Sequence, residues 1–277
     1  TPKKIPNLKT ICVGNIYIGG TGKTSFAIAL KKILDEKKIK SCFIKKYYPD
    51  QTDEQKILKK FGKTFINKSR FQALKEAAFD NYEVAIFDDG LQDKDVFYDL
   101  IFVCFNIKNM YGNGRLIPSG PLRENLNNLN NYKNLIFTGN DNDKISFKEI
   151  FSKNFKYLNL YDCTYEPLNL NSFDLDENYI VFSGIGNHDT FIEMLSKNKF
   201  NIIQNFEYPD HYNYSDRDID KIINLAKVNN ATILTTEKDY NRLNEKYFKE
   251  IKYVEVSLKI NQLREIKEKL KFFYEDF

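Results

Sequence analysis

The sequence predicts an α/β protein: a parallel-sheet domain with helices on both faces, followed by a second, smaller α/β domain. Three observations carry that expectation. Apolar runs of strand length alternate with amphipathic runs of helix length from about residue 10 onwards, the pattern of repeated βα units. The run Ile11-Cys12-Val13-Gly14 leads to a glycine-rich turn, Gly19-Gly20-Thr21-Gly22, and then to an amphipathic stretch. A later apolar run, 82–87, delivers Asp88 and Asp89 at its C-terminal end. Open parallel sheets bind their ligands at that edge.

The glycine-rich turn is the most informative stretch. Glycines free the backbone to wrap an anion, because they tolerate φ > 0 and carry no Cβ. Successive N–H groups then point inward, and the helix that follows adds the positive end of its dipole. Lys23 is placed to reach the β- and γ-phosphates of a nucleotide, and the Thr24 hydroxyl to coordinate Mg²⁺. Gly19, Gly20, Thr21, Gly22, Lys23 and Thr24 are therefore the expected nucleotide-binding residues. A strict phosphate loop has glycine five positions before Gly22, where Tyr17 stands, so the match is to a variant loop. A purely structural βα turn is the alternative.

In order, helices are expected over 24–37, 53–61 and 70–79, with a strand over 40–44 and Thr52 or Asp53 as a cap. Beyond the strand at 82–87, Asp88 and Asp89 can complete a Mg²⁺ shell; a strand-end Asp-Asp-Gly turn is the plainer reading. A strand at 98–105 leads to the loop 111–124, with three Gly, two Pro and two Arg. Its Arg115 and Arg123 suit phosphate recognition or are simply solvated. After a strand at 134–138, the polar run 139–144 marks weakening pattern. The expected division is 1–155 and 156–277, with an extended connection at about 154–170. In the second domain, strands are expected at 179–182, 200–206, 232–234 and 253–256, and helices at 189–197, 216–228 and 262–274. Gly184-Ile185-Gly186 reads as a tight βα turn, and Ser215 as a helix cap. Residues 235–239 lack the spacing of a guanine-reading loop. His188 is expected to be an exposed neighbour of a cap. His211, in an aromatic loop beside Asp210, is either a structural hydrogen-bonder or a chemical group.

Bulk properties narrow the classes. The 277 residues allow one large or two modest domains, and 42% hydrophobic with 15% aromatic content fits a globular chain. A net charge of +4, from 42 basic and 38 acidic residues, and the lack of any RNA- or DNA-reading motif argue against a nucleic-acid partner. That mild charge is compatible with an anionic surface. Cys12, Cys42, Cys104 and Cys163 form no metal spacing and read as buried, reduced thiols of a cytosolic protein. No apolar run approaches the roughly 18 residues of a membrane span. The chain starts at Thr1 without Met, which leaves room for a missing upstream segment that could have carried a membrane contact.

Taken together, the motifs resemble the tetraacyldisaccharide 4′-kinases of lipid A assembly. The carrying pieces are Val13-Gly14-Asn15 with Gly19–Thr24, then Asp88-Asp89-Gly90-Leu91-Gln92, then the block 112–124. They continue with Ser183-Gly184-Ile185-Gly186-Asn187, Pro209-Asp210-His211-Tyr212 and Leu234-Thr235-Thr236-Glu237-Lys238-Asp239. The resemblance implies transfer of the ATP γ-phosphate to the 4′-hydroxyl of a tetraacylated glucosamine disaccharide 1-phosphate. It implies a two-domain protein with the site between domains, peripheral on the cytoplasmic side of the bacterial inner membrane, with ATP and Mg²⁺ as cofactors. No protein partner is evident. Carried over by residue, Lys23 and Thr24 hold phosphates and Mg²⁺, and Asp88, Asp89 and Glu124 serve the metal site. Asp53 and Glu54 match the family's Asp-Glu pair, whose Asp is the proposed catalytic base, and His211 matches its partner histidine. Asn113, Arg115 and Arg123 fall in the block expected to meet substrate.

The chain departs from the family pattern in four ways. Tyr47 replaces a glycine, and the segment from there to Asp53 is short. Asp93 stands where histidine is usual, and no N-terminal membrane-contacting helix is present in this sequence. Two other readings share part of the motif set. One is a variant-loop ATPase coupled to partner assembly, and the other a non-catalytic nucleotide-binding paralogue.

Overall fold

The computed structural model describes residues 1–49, 52–108, 111–139, 141–155 and 157–274, with the backbone alone for Asp141 and Asn142. The chain divides into two compact units. One comprises Thr1–Thr164 with Leu258–Phe277, the other Tyr165–Ser257.

In the first unit, β1 (Lys9–Gly14) lies inside an eight-stranded sheet, between β4 (Val84–Asp88) and β5 (Leu100–Asn106). It pairs in parallel with both, Val13 opposite Asp88 on one side and Phe102 on the other. Outside β4 come β2 (Ser41–Lys46) and β3 (Thr64–Asn67). Outside β5 come β6 (Asn134–Thr138), β7 (Asn159–Pro167) and β12 (Val256–Ile260). The chain after β1 builds one flank, and after β4 it crosses β1 to build the other. This change of direction opens a crevice at the C-terminal strand ends. Such strands are buried on both faces, so they read as continuous apolar runs such as Leu100–Asn106 rather than alternating ones.

Helices cover both faces. Phe26 of α1 (Lys23–Glu36) packs edge-on against Phe102. The adjacent residue Val103, which points the other way, belongs to a cluster with Phe105, Phe147 and Phe151. The last two sit on α5 (Asp141–Asn154). Over β2 and β4, α3 (Arg70–Phe79) places Ala73, Leu74 and Ala77 on Cys42, Ile44 and Phe87. The short helix α2 (Thr52–Phe61) follows β2, and the four-residue α4 (Leu129–Tyr132) precedes β6. All four cysteines are buried free thiols.

The structure corrects the sequence expectations in three places. Residues 141–144 of the polar run expected to mark a boundary instead begin α5, which is held by one narrow stripe, Phe147 and Phe151 with Phe155 just beyond its end. Its other apolar residues, Ile145 and Ile150, face solvent, which blurs the helical period. The strand β3 was not anticipated; its four residues are too short for a periodic signal. The third correction concerns the division, which falls after Thr164 and not after residue 155. The extended stretch is β7, which adds to the large sheet from Asn134 opposite Asn159 to Thr138 opposite Cys163. The C-terminal residues return to the first unit, where Asn261 N–H bonds the Asp162 carbonyl. There α9 (Leu263–Leu270) buries Ile266 and Leu270. Pattern along a strand does not reveal which sheet it joins.

The second unit is a four-stranded parallel sheet in the order β11 (Ile251–Val254), β10 (Ala231–Thr236), β8 (Asn178–Ser183), β9 (Asn201–Glu207). The helices α6 (His188–Lys197), α7 (Asp216–Val228) and α8 (Glu237–Tyr240) belong to it. Ser215 caps α7 as expected. Its hydroxyl accepts from Asp218 N–H, and the Asp218 carboxylate accepts from Ser215 N–H in return, a reciprocal capping box.

Replacing Phe151 by alanine is expected to cost about 3–5 kcal/mol through the cavity it leaves. Urea unfolding of wild type and Phe151→Ala measures this, and a loss below about 1 kcal/mol would remove α5 from the core.

Candidate active site

The turn after β1 adopts the backbone that its glycines allow. Gly19 has φ 123° and Gly22, at the start of α1, has φ 83°. A Cβ built on Gly19 would meet nothing within 4 Å, so conformation and not space calls for glycine there. The Thr21 hydroxyl and both polar atoms of the Asn15 amide are buried without a hydrogen-bond partner. Buried polar groups left unpaired in the protein suit a polar ligand. This turn fits a phosphate chain on those grounds.

Tyr17, which breaks the strict loop pattern, has a structural reason. Its ring lies in the core against Phe105 at 5.1 Å. The hydroxyl donates to the Asn106 carbonyl at 3.1 Å and accepts from Asn106 N–H at 2.6 Å. The loop is thereby fastened to the end of β5. Its backbone is fastened as well: Ile18 N–H bonds the Pro121 carbonyl at 2.9 Å, and Arg123 N–H bonds the Ile16 carbonyl at 2.7 Å. The block 112–124 is thus stitched directly onto the glycine turn.

At the end of β4, the fully buried Asp88 gathers a polar group. Its Oδ2 accepts from the Thr24 hydroxyl at 3.2 Å and from Lys45 Nζ at 2.8 Å. Lys45, at the end of β2, also donates to Glu54 Oε2 at 2.6 Å. Burial by itself would lower the Lys45 ammonium, but Asp88 and Glu54 outweigh it and hold the amino group above its ordinary range. Asp88 Oδ1 is buried with no partner. An unpartnered carboxylate oxygen beside the Thr24 hydroxyl is the donor chemistry of a hard divalent cation.

Asp89 lies in the left-handed region at φ 61° and turns its carboxylate the other way. It meets Arg123 at 3.0 Å and Lys23 at 3.8 Å. Its backbone carbonyl accepts from Arg70, whose other nitrogen reaches Asp93 at 3.4 Å. Burial would raise the Asp89 carboxyl, but Lys23, Arg123, Lys45 and Arg70 together lower it below the usual carboxylate range. Glu124 accepts from Gln92, Asn128 and Tyr132. Gln92 also donates to the Asn15 carbonyl at 2.9 Å, so it links the glycine turn to Glu124.

Of the expected metal residues, the structure therefore joins Thr24 and Asp88, while Asp89 and Glu124 are engaged by cations and amides. Among the described residues no three His, Cys, Asp or Glu side chains are gathered to hold a metal. Asp53, in the first turn of α2, is buried at 2% exposure, next in sequence to the Glu54 that Lys45 holds. Arg123 is drawn into the carboxylate group. Arg115 is exposed. Asn113 braces its own loop, with Oδ1 accepting from Arg115 N–H at 3.1 Å and Nδ2 donating to the Ser119 carbonyl at 2.9 Å.

His211 belongs to the second unit, in the left-handed region at φ 60° with its N–H on the Gly184 carbonyl at 3.1 Å. His188 was expected to be exposed and is instead buried. Its Nδ1 faces Ser183 Oγ at 2.7 Å and its Nε2 faces Asn205 Oδ1 at 3.1 Å. A ring at the first turn of a helix folds back onto the preceding strand end here, which sequence alone does not show. Sequence reasoning missed Lys45, Arg70 and Gln92. A lysine directly after the apolar run Cys42–Ile44, at the end of a strand, was the available signal for Lys45.

The profile of the family described as "Tetraacyldisaccharide-1-P 4'-kinase" matches residues 2–273. The tetraacyldisaccharide 4'-kinase of Pelagibacter ubique is 56% identical over 263 residues, covering 95% of this chain and 84% of that one. The enzyme of the same name from Rickettsia canadensis is 34% identical, with the same coverage. The fold is similar to a crystal structure of LpxK from Aquifex aeolicus in complex with ATP. The TM-score is 0.72 at 22% identity, covering 99% of this chain and 90% of that one.

Lys45→Met takes the ammonium partner from the fully buried Asp88 carboxylate and is expected to cost about 3–5 kcal/mol of stability. In Lys45→Met/Asp88→Asn the two losses should sum to clearly more than the measured double loss; strict additivity in chemical denaturation would deny the coupling. For Asp89, the lowered folded value means that its ion pairs add stability above the ordinary carboxylate range. That contribution is lost as pH falls through the folded value. As pH falls from about 5 into the range below the ordinary carboxylate value, thermal midpoints should therefore fall more steeply in wild type than in Asp89→Asn, and parallel curves would contradict the assignment.

Proposed function

The chain belongs to the tetraacyldisaccharide-1-P 4'-kinase family, and we propose that it transfers the γ-phosphate of ATP to the 4′-hydroxyl of a tetraacylated glucosamine disaccharide 1-phosphate. It is a phosphotransferase with an alcohol acceptor. The observation that carries the reading is the grouping of Lys23, Thr24 and the half-unpartnered Asp88 around the positive-φ glycine turn.

In this reading, the turn's N–H groups and Lys23 bind the β- and γ-phosphates. Thr24 and Asp88 would hold Mg²⁺, with remaining positions left to phosphate and water. The bound ion supplies neutralisation of charge on the transferring phosphoryl group. The acceptor oxygen forms a bond to the γ-phosphorus as the bond to the departing ADP oxygen breaks, and its proton passes to a base. Asp53 is that base, with His211 as its partner; both assignments rest on the family resemblance. Asp53 is short of solvent, which limits competition from water as proton acceptor. Arg123, Arg115 and the loop braced by Asn113 supply cations and donors for the anionic substrate. Gln92 ties Glu124 to the turn, so Glu124 supports the site through that bond.

The acylated acceptor implies work at the cytoplasmic face of the inner membrane, with peripheral contact. Among the described residues no helix is long and apolar enough to cross a membrane.

Lys23→Ala is expected to leave no measurable phosphate transfer. Asp53→Ala should lower turnover by on the order of 10²- to 10⁴-fold, the range for general base catalysis. ATP consumption should rise on addition of the acylated disaccharide 1-phosphate. Consumption indifferent to that acceptor would favour a coupled ATPase and overturn the kinase reading.

A further inference from the structure

Several motifs of the second unit find no use in phosphate binding, and they converge on one histidine. Asp239, fully buried at the start of α8, accepts from Gly184 N–H at 3.0 Å, Tyr214 hydroxyl at 2.8 Å and Thr236 hydroxyl at 2.6 Å. Arg242 answers its charge, with NH1 at 3.1 Å from Asp239 Oδ1 and 2.8 Å from the Gly184 carbonyl. The guanidinium is thereby anchored at two points in a setting where only 9% of the side chain is exposed. Its other terminal nitrogen, NH2, lies 3.2 Å from His211 Nδ1.

That contact has only one polarity. A guanidinium carries donors and no acceptor, so His211 Nδ1 must present its lone pair. The proton of the neutral ring then resides on Nε2, since the bond made by one ring nitrogen sets the state of the other. The backbone is fixed to match. His211 N–H bonds the same Gly184 carbonyl that Arg242 holds. A Cβ on Gly184 would lie 2.9 Å from the Tyr214 hydroxyl and 3.0 Å from the Pro209 carbonyl, so glycine permits the close approach of this loop. The motifs around Gly184, His211 and Asp239 are thus one scaffold.

We propose that Arg242 is a positioning residue that locks His211 in its Nε2–H tautomer, so that the ring serves the reaction as a hydrogen-bond donor from Nε2 and not as a proton acceptor at Nδ1. The proposal rests on the reading of His211 as a residue of the phosphate transfer. A donor at Nε2 suits an anion, and within this unit the Asp210 carboxylate already lies 3.9 Å from that nitrogen.

The test is long-range ¹H–¹⁵N correlation on the full chain labelled at histidine, recorded well above the ordinary imidazole range. The chain has two histidines, and His211→Gln identifies which signals belong to His211. Wild type should show His211 protonated on Nε2. Arg242→Met should mix the two tautomers while the His188 signals stay in place. It should also lower kcat by on the order of ten- to a hundredfold, as expected when the group orienting a functional histidine is removed, with KM for ATP unchanged. A wild-type His211 protonated on Nδ1 overturns the proposal without need of any variant. So does an Arg242→Met protein whose His211 spectrum is unaltered. Full turnover by His211→Gln would instead overturn the underlying role of His211, a result separable from the spectra.

Discussion

The first unit is built around one buried carboxylate. Asp88 ends β4 directly beside β1, and a single oxygen of it binds both the Thr24 hydroxyl and the Lys45 ammonium. A charge so placed is tolerable only with its partners in position, because desolvation would otherwise cost several kcal/mol. The requirement reaches outward through the fold. It fixes the start of α1 against β4 through Thr24, and the end of β2 through Lys45. Through Lys45 and Glu54 it also fixes the first turn of α2, where Asp53 resides. Two strand ends and two helix starts are thus held to one point at the edge where a parallel sheet binds its ligands.

The second constraint is the stitching of the glycine turn. A turn rich in glycine is entropically expensive to order, and this one is restrained from outside by Tyr17 and by the backbone bonds of Ile18 and Ile16 to the 121–123 segment. Preordering of that kind lowers the cost of binding an anion there. The same bonds place Arg123 where it meets Asp89 and Gln92. The resulting group of Lys23, Arg123 and Arg70 around Asp89 offsets the burial of its carboxyl and holds it below its ordinary value.

Much of this was legible in the sequence, and for definable reasons. The strand, turn and helix at 11–36 carry their chemistry in consecutive residues, and Asp88 follows an unbroken apolar run. Local signals of that kind survive without knowledge of the fold. What was not legible depends on long-range pairing. The residues that hold Asp88 and Asp89 in place, Lys45 and Arg70, lie in other elements and carry no local mark beyond an ill-fitting charge. The helix α5 was obscured because Ile145 and Ile150 sit on its outer face. The return of β12 and α9 to the first unit is a question of sheet partners, which composition does not encode. His188 was misread because its two hydrogen-bond partners, Ser183 and Asn205, come from different strands.

The central chemistry is movement of phosphate to a sugar hydroxyl. Phosphorus NMR of the wild-type protein with Mg-ATP and tetraacyl disaccharide 1-phosphate tests it directly. A new phosphomonoester resonance on the 4′-oxygen, growing in step with ADP, is the expected result. ADP accompanied only by inorganic phosphate, with the disaccharide unchanged, would contradict it.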